Sequence, residues 1–193
     1  MLTSIHPLGE RARHNRWALT VGAFVTAAVG TGALLGVILG WIGQLIPGEA
    51  WRWPFAAGVV AAAGVADLVR LRPPGPRRQV NEDWIGTYRG WVYGGGFGAQ
   101  LGAGFATYVV TWGVWAMLAL MVAVGDPLGG ALIGAAFGLG RSVFPLAAGR
   151  IDRPSRLTAF SRTMAGLAAP VARVTGVGLI VLAGAFAASV VLA

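Results

Sequence analysis

Residues 17–48 read WALTVGAFVTAAVGTGALLGVILGWIGQLIPG, with no charged side chain between Arg16 and Glu49. A helix needs roughly 20 apolar residues to cross a bilayer, and this run exceeds that length. It is also apolar all round, whereas a helix on a soluble fold keeps a polar face. Membrane insertion fits both properties. The remainder of the chain is of the same kind. Of its 193 residues, 56% are hydrophobic and 11% charged, and the mean hydropathy is +0.69. Soluble domains carry about 25% charged residues. A chain this short cannot hide so much apolar surface in one water-facing core. Composition therefore argues against a soluble enzyme and against disorder.

Four further apolar runs occur. They are Trp53–Ala66, Gly90–Gly125, Pro127–Gly149 (interrupted only by Arg141) and Val174–Ala193. The expected fold is all-α, a polytopic transmembrane helix bundle of about five helices in a single domain over residues 1–193. The predicted membrane helices are 17–46, 53–71, 91–124, 127–149 and 165–193, after a polar segment 1–16. The predicted loops are 72–90 and 150–164. The mixed, polar start and the long run behind it do not resemble a secretory signal.

Charge sets the orientation. The net charge is +8, and every basic residue is arginine. Arg11, Arg13 and Arg16 precede the first helix. Arg70, Arg72, Arg77, Arg78 and Arg89 lie between the second and third, and Arg150, Arg153, Arg156 and Arg162 between the fourth and fifth. The alternate loops hold only Arg52. The positive-inside rule puts the N-terminus and both basic loops in the cytoplasm, and five crossings then leave the C-terminus outside. Trp17, Trp41, Trp51, Trp53, Trp84 and Trp91 sit near predicted helix ends, as an aromatic belt would. Topology thus accounts for the arginines. No nucleic acid is expected as a partner, and the lipid bilayer, with its anionic head groups, is.

Catalytic signals are missing. Cysteine is absent, which excludes disulfides, thiolate metal sites and cysteine nucleophiles carried by this chain. His6 and His14 have no carboxylate or thiolate ligand beside them, so no metal is expected. No Ser-His-Asp, paired-carboxylate or HExxH pattern occurs. The expectation is a non-enzyme without a cofactor.

Glycine is abundant, with 31 residues, and much of it falls at four-residue spacing. Gly32, Gly36 and Gly40 form one stripe, Gly94, Gly98 and Gly102 a second, and Gly130, Gly134 and Gly138 a third. Helices in lipid associate through close backbone approach at small residues, so tight packing is one reading. The triplet Gly94, Gly95 and Gly96 invites another, because consecutive glycines weaken a helix interior. A hinge there would let half-helix ends line a cavity. The excess length of this third run supports a break. Pro145 is a second hinge candidate, in the fourth helix.

Arg141 is the one arginine inside the fourth apolar run. A charge at that depth faces a partner, a substrate or a water-filled cavity, or its side chain snorkels to the head groups. Asp67 is the candidate partner, with Arg70 as its own alternative. Gln100, Thr107 and Thr111 fall near one face of the predicted third helix, beside Tyr108. They line a pathway or bond neighbouring backbone.

Three stretches resemble the membrane domain of the DsbD/CcdA family of cytochrome c biogenesis thiol-disulfide transporters. RHNRWALTVGAFVTAAVGTGALLGVILGWIG (Arg13–Gly43) is similar to that family's second helix, GGFGAQLGAGFAT (Gly95–Thr107) to its fourth, and AAFGLGRSVFPLAA (Ala135–Ala148) to its fifth. The tail from Ala168 to Gly184 resembles its last helix. The resemblance implies two inverted three-helix repeats, each opening with a helix broken at a Pro-Cys motif. It also implies a multi-pass protein of a bacterial plasma membrane, with a wider likeness to LysE- and TauE-type exporters. Two departures stand out. The resemblance implies that the family's first helix is missing here, with LTSIHPLGE (Leu2–Glu10) as the remnant following it. Both cysteines are missing too. Around Gly102-Ala103-Gly104, where the Pro-Cys would fall, neither residue is present.

The scaffold carries over and the thiol chemistry does not. The expected function is a small-solute transporter or the membrane subunit of a larger complex, with another membrane subunit or a second copy as partner. The alternatives are a non-transporting anchor or assembly factor, and a redox role with its redox groups supplied by a partner.

Overall fold

The computed structural model describes residues 5–76, 83–107 and 109–192. Arg77, Arg78 and Tyr108 lie outside them. The described residues form helices and connections, with no strand among them. In chain order the helices are α1 (Pro7–Ala12), α2 (Trp17–Leu45), α3 (Arg52–Leu68), α4 (Asp83–Thr87) and α5 (Gly90–Gly102). Then come α6 (Gly113–Val124), α7 (Pro127–Arg141), α8 (Val143–Ala147) and α9 (Pro154–Leu192). Among the described residues, three segments are long and apolar enough to cross a membrane: Trp17–Leu45, Pro127–Arg150 and Pro170–Ala188.

The predicted helix 91–124 is two helices, and the described residues 103–107 and 109–112 between them are not helical. The triplet Gly94–Gly96 lies inside α5. Two of its glycines serve close contact: a Cβ on Gly94 would strike the Thr20 carbonyl, and one on Gly96 the Trp84 ring, while Gly95 faces open space. The predicted helix 127–149 is interrupted at Ser142. Pro145 has no N–H to give the Arg141 carbonyl and stands in the first turn of α8, where none is needed. Most of the predicted loop 150–164 is helix. Pro154 pre-sets the first turn of α9, and Arg156 pairs with Asp152 at 3.1 Å. Its arginines mark contact with water, not loss of helix. The loop 72–90 contains α4.

α2 is the axis of the bundle. A Cβ on Gly32, Gly36 or Gly40 would collide with backbone of Gly134, Gly130 or Asp126, which sets α7 antiparallel to α2. One on Gly94, Gly98 or Gly102 would collide with backbone of Thr20, Phe24 or Ala28, which sets α5 parallel to it. All three glycine stripes are therefore contact seams, as packing in lipid requires. α6 continues in the direction of α5 until Val122 meets Gly43. Thr20–Gly43 of α2 thus spans what Gly94–Val122 spans alongside it, and the interval between α5 and α6 takes up the surplus of five residues. α3 and α9 run antiparallel beside α6. Gly64 meets Gly176, the Trp53 and Phe186 rings lie 5.4 Å apart, and Val60, Ala63, Ala116 and Ala183 form a small core.

Trp17 lies against Gly149 and Thr20 against Gly90, while Arg52 lies against Gly125. Arg16, Arg89 and Arg150 thereby gather at one end of the bundle and Arg52 at the other. The outer surface is apolar. Leu34, Leu128, Leu132, Val174 and Val181 are 61–73% exposed, a surface suited to lipid.

Candidate functional site

The break between α5 and α6 organises the site. α5 ends at Gly102, and Gly104 takes a left-handed φ of 74° that suits glycine. The described residues from there to Trp112 are non-helical. The start of α6 then needs acceptors for its unbonded N–H groups, and Asp67 supplies them from the end of α3. Its Oδ1 accepts the Trp112 N–H at 2.9 Å and its Oδ2 the Thr111 hydroxyl at 2.6 Å. Thr111 Oγ1 in turn accepts the Gly113 N–H at 2.8 Å. A carboxylate at the positive end of a helix is favourably placed. The Trp112 and Trp115 indoles donate to the Leu71 and Pro74 carbonyls at 3.0 Å, fastening the segment after α3 to the same place.

Arg141 ends α7. Extending the register of Gly32 with Gly134 and of Ala28 with Gly138 sets it level with Val25, about 13 Å along α2 from Arg16. Its guanidinium carbon lies 5.6 Å from the centroid of the Phe137 ring, within cation–π range. Its Nε is buried without a hydrogen-bond partner. No carboxylate among the described residues pairs with it. Asp67, its expected partner, is bound to Thr111 and Trp112 instead. Behind Ser142, whose hydroxyl donates to the Gly138 carbonyl at 2.9 Å, the turn into α8 adds Phe144 to the same surroundings.

Arg141 and Thr111 line one pocket of about 400 Å³, with Leu101, Phe144 and, from α9, Leu167 and Thr175. A second pocket of about 220 Å³ holds Asp67, Arg70 and Arg72. The two share Val110 and Ala172 as walls. The structure thus brings Arg141, Thr111 and, through Thr111, Asp67 together. It leaves out Gln100 and Thr107, which line neither pocket. The single helical face predicted for Gln100, Thr107 and Thr111 does not exist, because Thr107 and Thr111 lie in the break. The Thr107 hydroxyl is buried without a hydrogen-bond partner among the described residues.

Sequence reasoning passed over a second polar cluster. Glu10 is fully buried in α1. It pairs with Arg13 at 2.6 Å and accepts the Thr20 hydroxyl at 2.8 Å and the Tyr93 hydroxyl. Gly90 leaves the room this requires. Glu10 thus joins α1, α2 and α5. A signal was available: Glu10 is the sole acidic residue before Glu49, in the first turn of a helix opened by Pro7. His6 caps that helix by accepting the Gly9 N–H on Nδ1 at 3.1 Å. Burial first, and then the Arg13 charge, hold its imidazole below the ordinary 6.5, against the pull of Glu10.

The chain is similar to methylamine utilization protein MauF of Paracoccus versutus, 33% identical over 150 residues, which are 72% of this chain and 54% of the relative. It is also 33% identical over 160 residues to methylamine utilization protein MauF of Paracoccus denitrificans, covering 79% of this chain and 57% of that one. The chain spans little more than half the length of these curated relatives. No family model matches it, and no solved structure matches it.

Proposed function

We propose that this chain is a small-solute transporter of a bacterial plasma membrane, working in methylamine utilization, with its pathway beside the break between α5 and α6. The carrying observation is that break. Unwound backbone, the Thr111 that Asp67 holds at the start of α6, and an arginine with no carboxylate partner among the described residues meet at one pocket, the construction by which broken helices hold solutes in transporters. The names of the relatives suggest the setting. Methylammonium itself is a poor occupant, since Arg141 repels a cation. The resemblance to the DsbD/CcdA scaffold belongs to this proposal. α5 ends at Gly102, where that resemblance sets the family's Pro-Cys. The arginine clusters support five crossings with the N-terminus in the cytoplasm.

The test is flux from proteoliposomes loaded with radiolabelled small carboxylates. Release faster than from empty vesicles, and lost in Arg141→Ala, supports the reading. Unchanged release in that variant removes Arg141 from the pathway. A second reading, a non-transporting anchor or assembly factor, draws on α9, whose first turns from Pro154 are exposed to solvent. A stoichiometric partner recovered in mild detergent, together with no flux, favours it.

A further inference from the structure

We propose that the pocket beside Arg141 binds an amphipathic monoanion, a single carboxylate or phosphate head on an apolar body. The proposal deepens the transport reading and takes the pocket's place in a pathway from it. The charge comes first. A guanidinium at this depth requires a counter-charge. Among the described residues no carboxylate pairs with it: Asp67 is committed to Thr111 and Trp112, and Glu10 to Arg13, Thr20 and Tyr93. The Arg141 Nε has no hydrogen-bond partner among the described residues, and guanidinium donors suit the paired oxygens of a carboxylate or phosphate. The walls come second. Leu101, Phe144, Met164, Leu167 and Val171 are apolar, and Thr175 offers one more hydroxyl. Such walls reject a fully hydrated ion and accept a hydrocarbon body. Size agrees, since about 400 Å³ lies within the range of small-molecule sites. The adjoining pocket carries Arg70 and Arg72 beside Asp67.

Two sources share this chemistry: an anionic membrane lipid and a soluble amphipathic acid. Calorimetry on the full chain in phosphatidylcholine nanodiscs, corrected with empty discs, tests the site without any flux. Loss of the transport reading therefore leaves it standing. The probes are decanoate and decanol. Decanoate is expected to bind one per chain, at least about tenfold more tightly than decanol, and to lose at least about tenfold in Arg141→Gln. Leu167→Trp fills the pocket and leaves the charge in place, and it is expected to weaken decanoate too. Equal binding of decanol, or unchanged decanoate affinity in either variant, overturns the proposal. Competition from phosphatidylglycerol added to the discs supports the site with lipid as its source. Decanoate binding untouched by that lipid supports it with a soluble acid.

Discussion

The two sides of the bundle are held by different means. α2, α5 and α7 meet backbone to backbone along three glycine stripes. Apart from the approach of Gly64 to Gly176, α3, α6 and α9 meet through side chains, with Val60, Ala63, Ala116 and Ala183 in contact and Asp67 tying α3 to the start of α6. Where backbones touch, no space is left over. Where side chains intervene, gaps remain, and the pocket beside Arg141 opens where α9 faces the ends of α5 and α7. The difference teaches that the rigid seam positions the site and the looser side gives it volume.

Substitutions break or sharpen this contrast. The largest effect is expected at the seam. Gly36→Leu drives a side chain into the Gly130 backbone and should lower stability by at least about 3 kcal/mol, read by circular dichroism during denaturation in detergent. Near-native stability would mean that the seam is not close-packed. On the other side, Asp67→Ala takes the acceptor from Trp112 and Thr111. A loss of about 2 kcal/mol is expected, with faster hydrogen exchange at the Trp112 amide. Slow exchange in the variant would show that Asp67 does not hold the start of α6. Gly30 lies on α2 but off the seam, with open space around it. Gly30→Ala should raise stability by about 0.5–1 kcal/mol. A loss there instead would extend the seam beyond its stripes.

The smallest effect is a dependence on pH at α1. The His6 imidazole titrates below 6.5 in the fold and near 6.5 in the unfolded chain. The unfolded chain therefore takes up the proton first as acid is added. The contribution of His6 is complete above about pH 6.5 and is lost as pH falls through its lowered value, because the added charge is buried beside Arg13, and protonated Nδ1 no longer accepts the Gly9 N–H. Melting followed between pH 7.5 and 5 should show this slope, and His6→Ala should flatten it. An equal slope in the variant would assign it to another group.

Much of the fold was legible because lipid makes simple demands. An uncharged run of sufficient length is a helix, and glycine at every fourth position is a contact face, as Gly32, Gly36 and Gly40 demonstrate. The break was legible in its existence, through surplus length, but not in its position. Gly94–Gly96 and Gly102–Gly104 are both rich in glycine. What separates them is Thr20 and Trp84 lying against the first group, a tertiary fact absent from local composition. Arg141 was singled out by charge alone. Its pairing was not predictable, because Asp67 answers to the unbonded N–H groups of α6. Glu10 escaped notice because a lone acid in a polar segment looks solvated until Tyr93, far along the chain, closes over it.

Ala28 is fully buried, and its carbonyl is the atom that a Cβ on either Gly102 or Gly138 would strike. Leu101 adjoins the first of these glycines, and Arg141 stands one helical turn past the second. Two walls of the pocket are thus dimensioned from a common datum. A machinist would say that their tolerances do not stack: the gap between them is gauged from one point, not summed over a train of flexible parts.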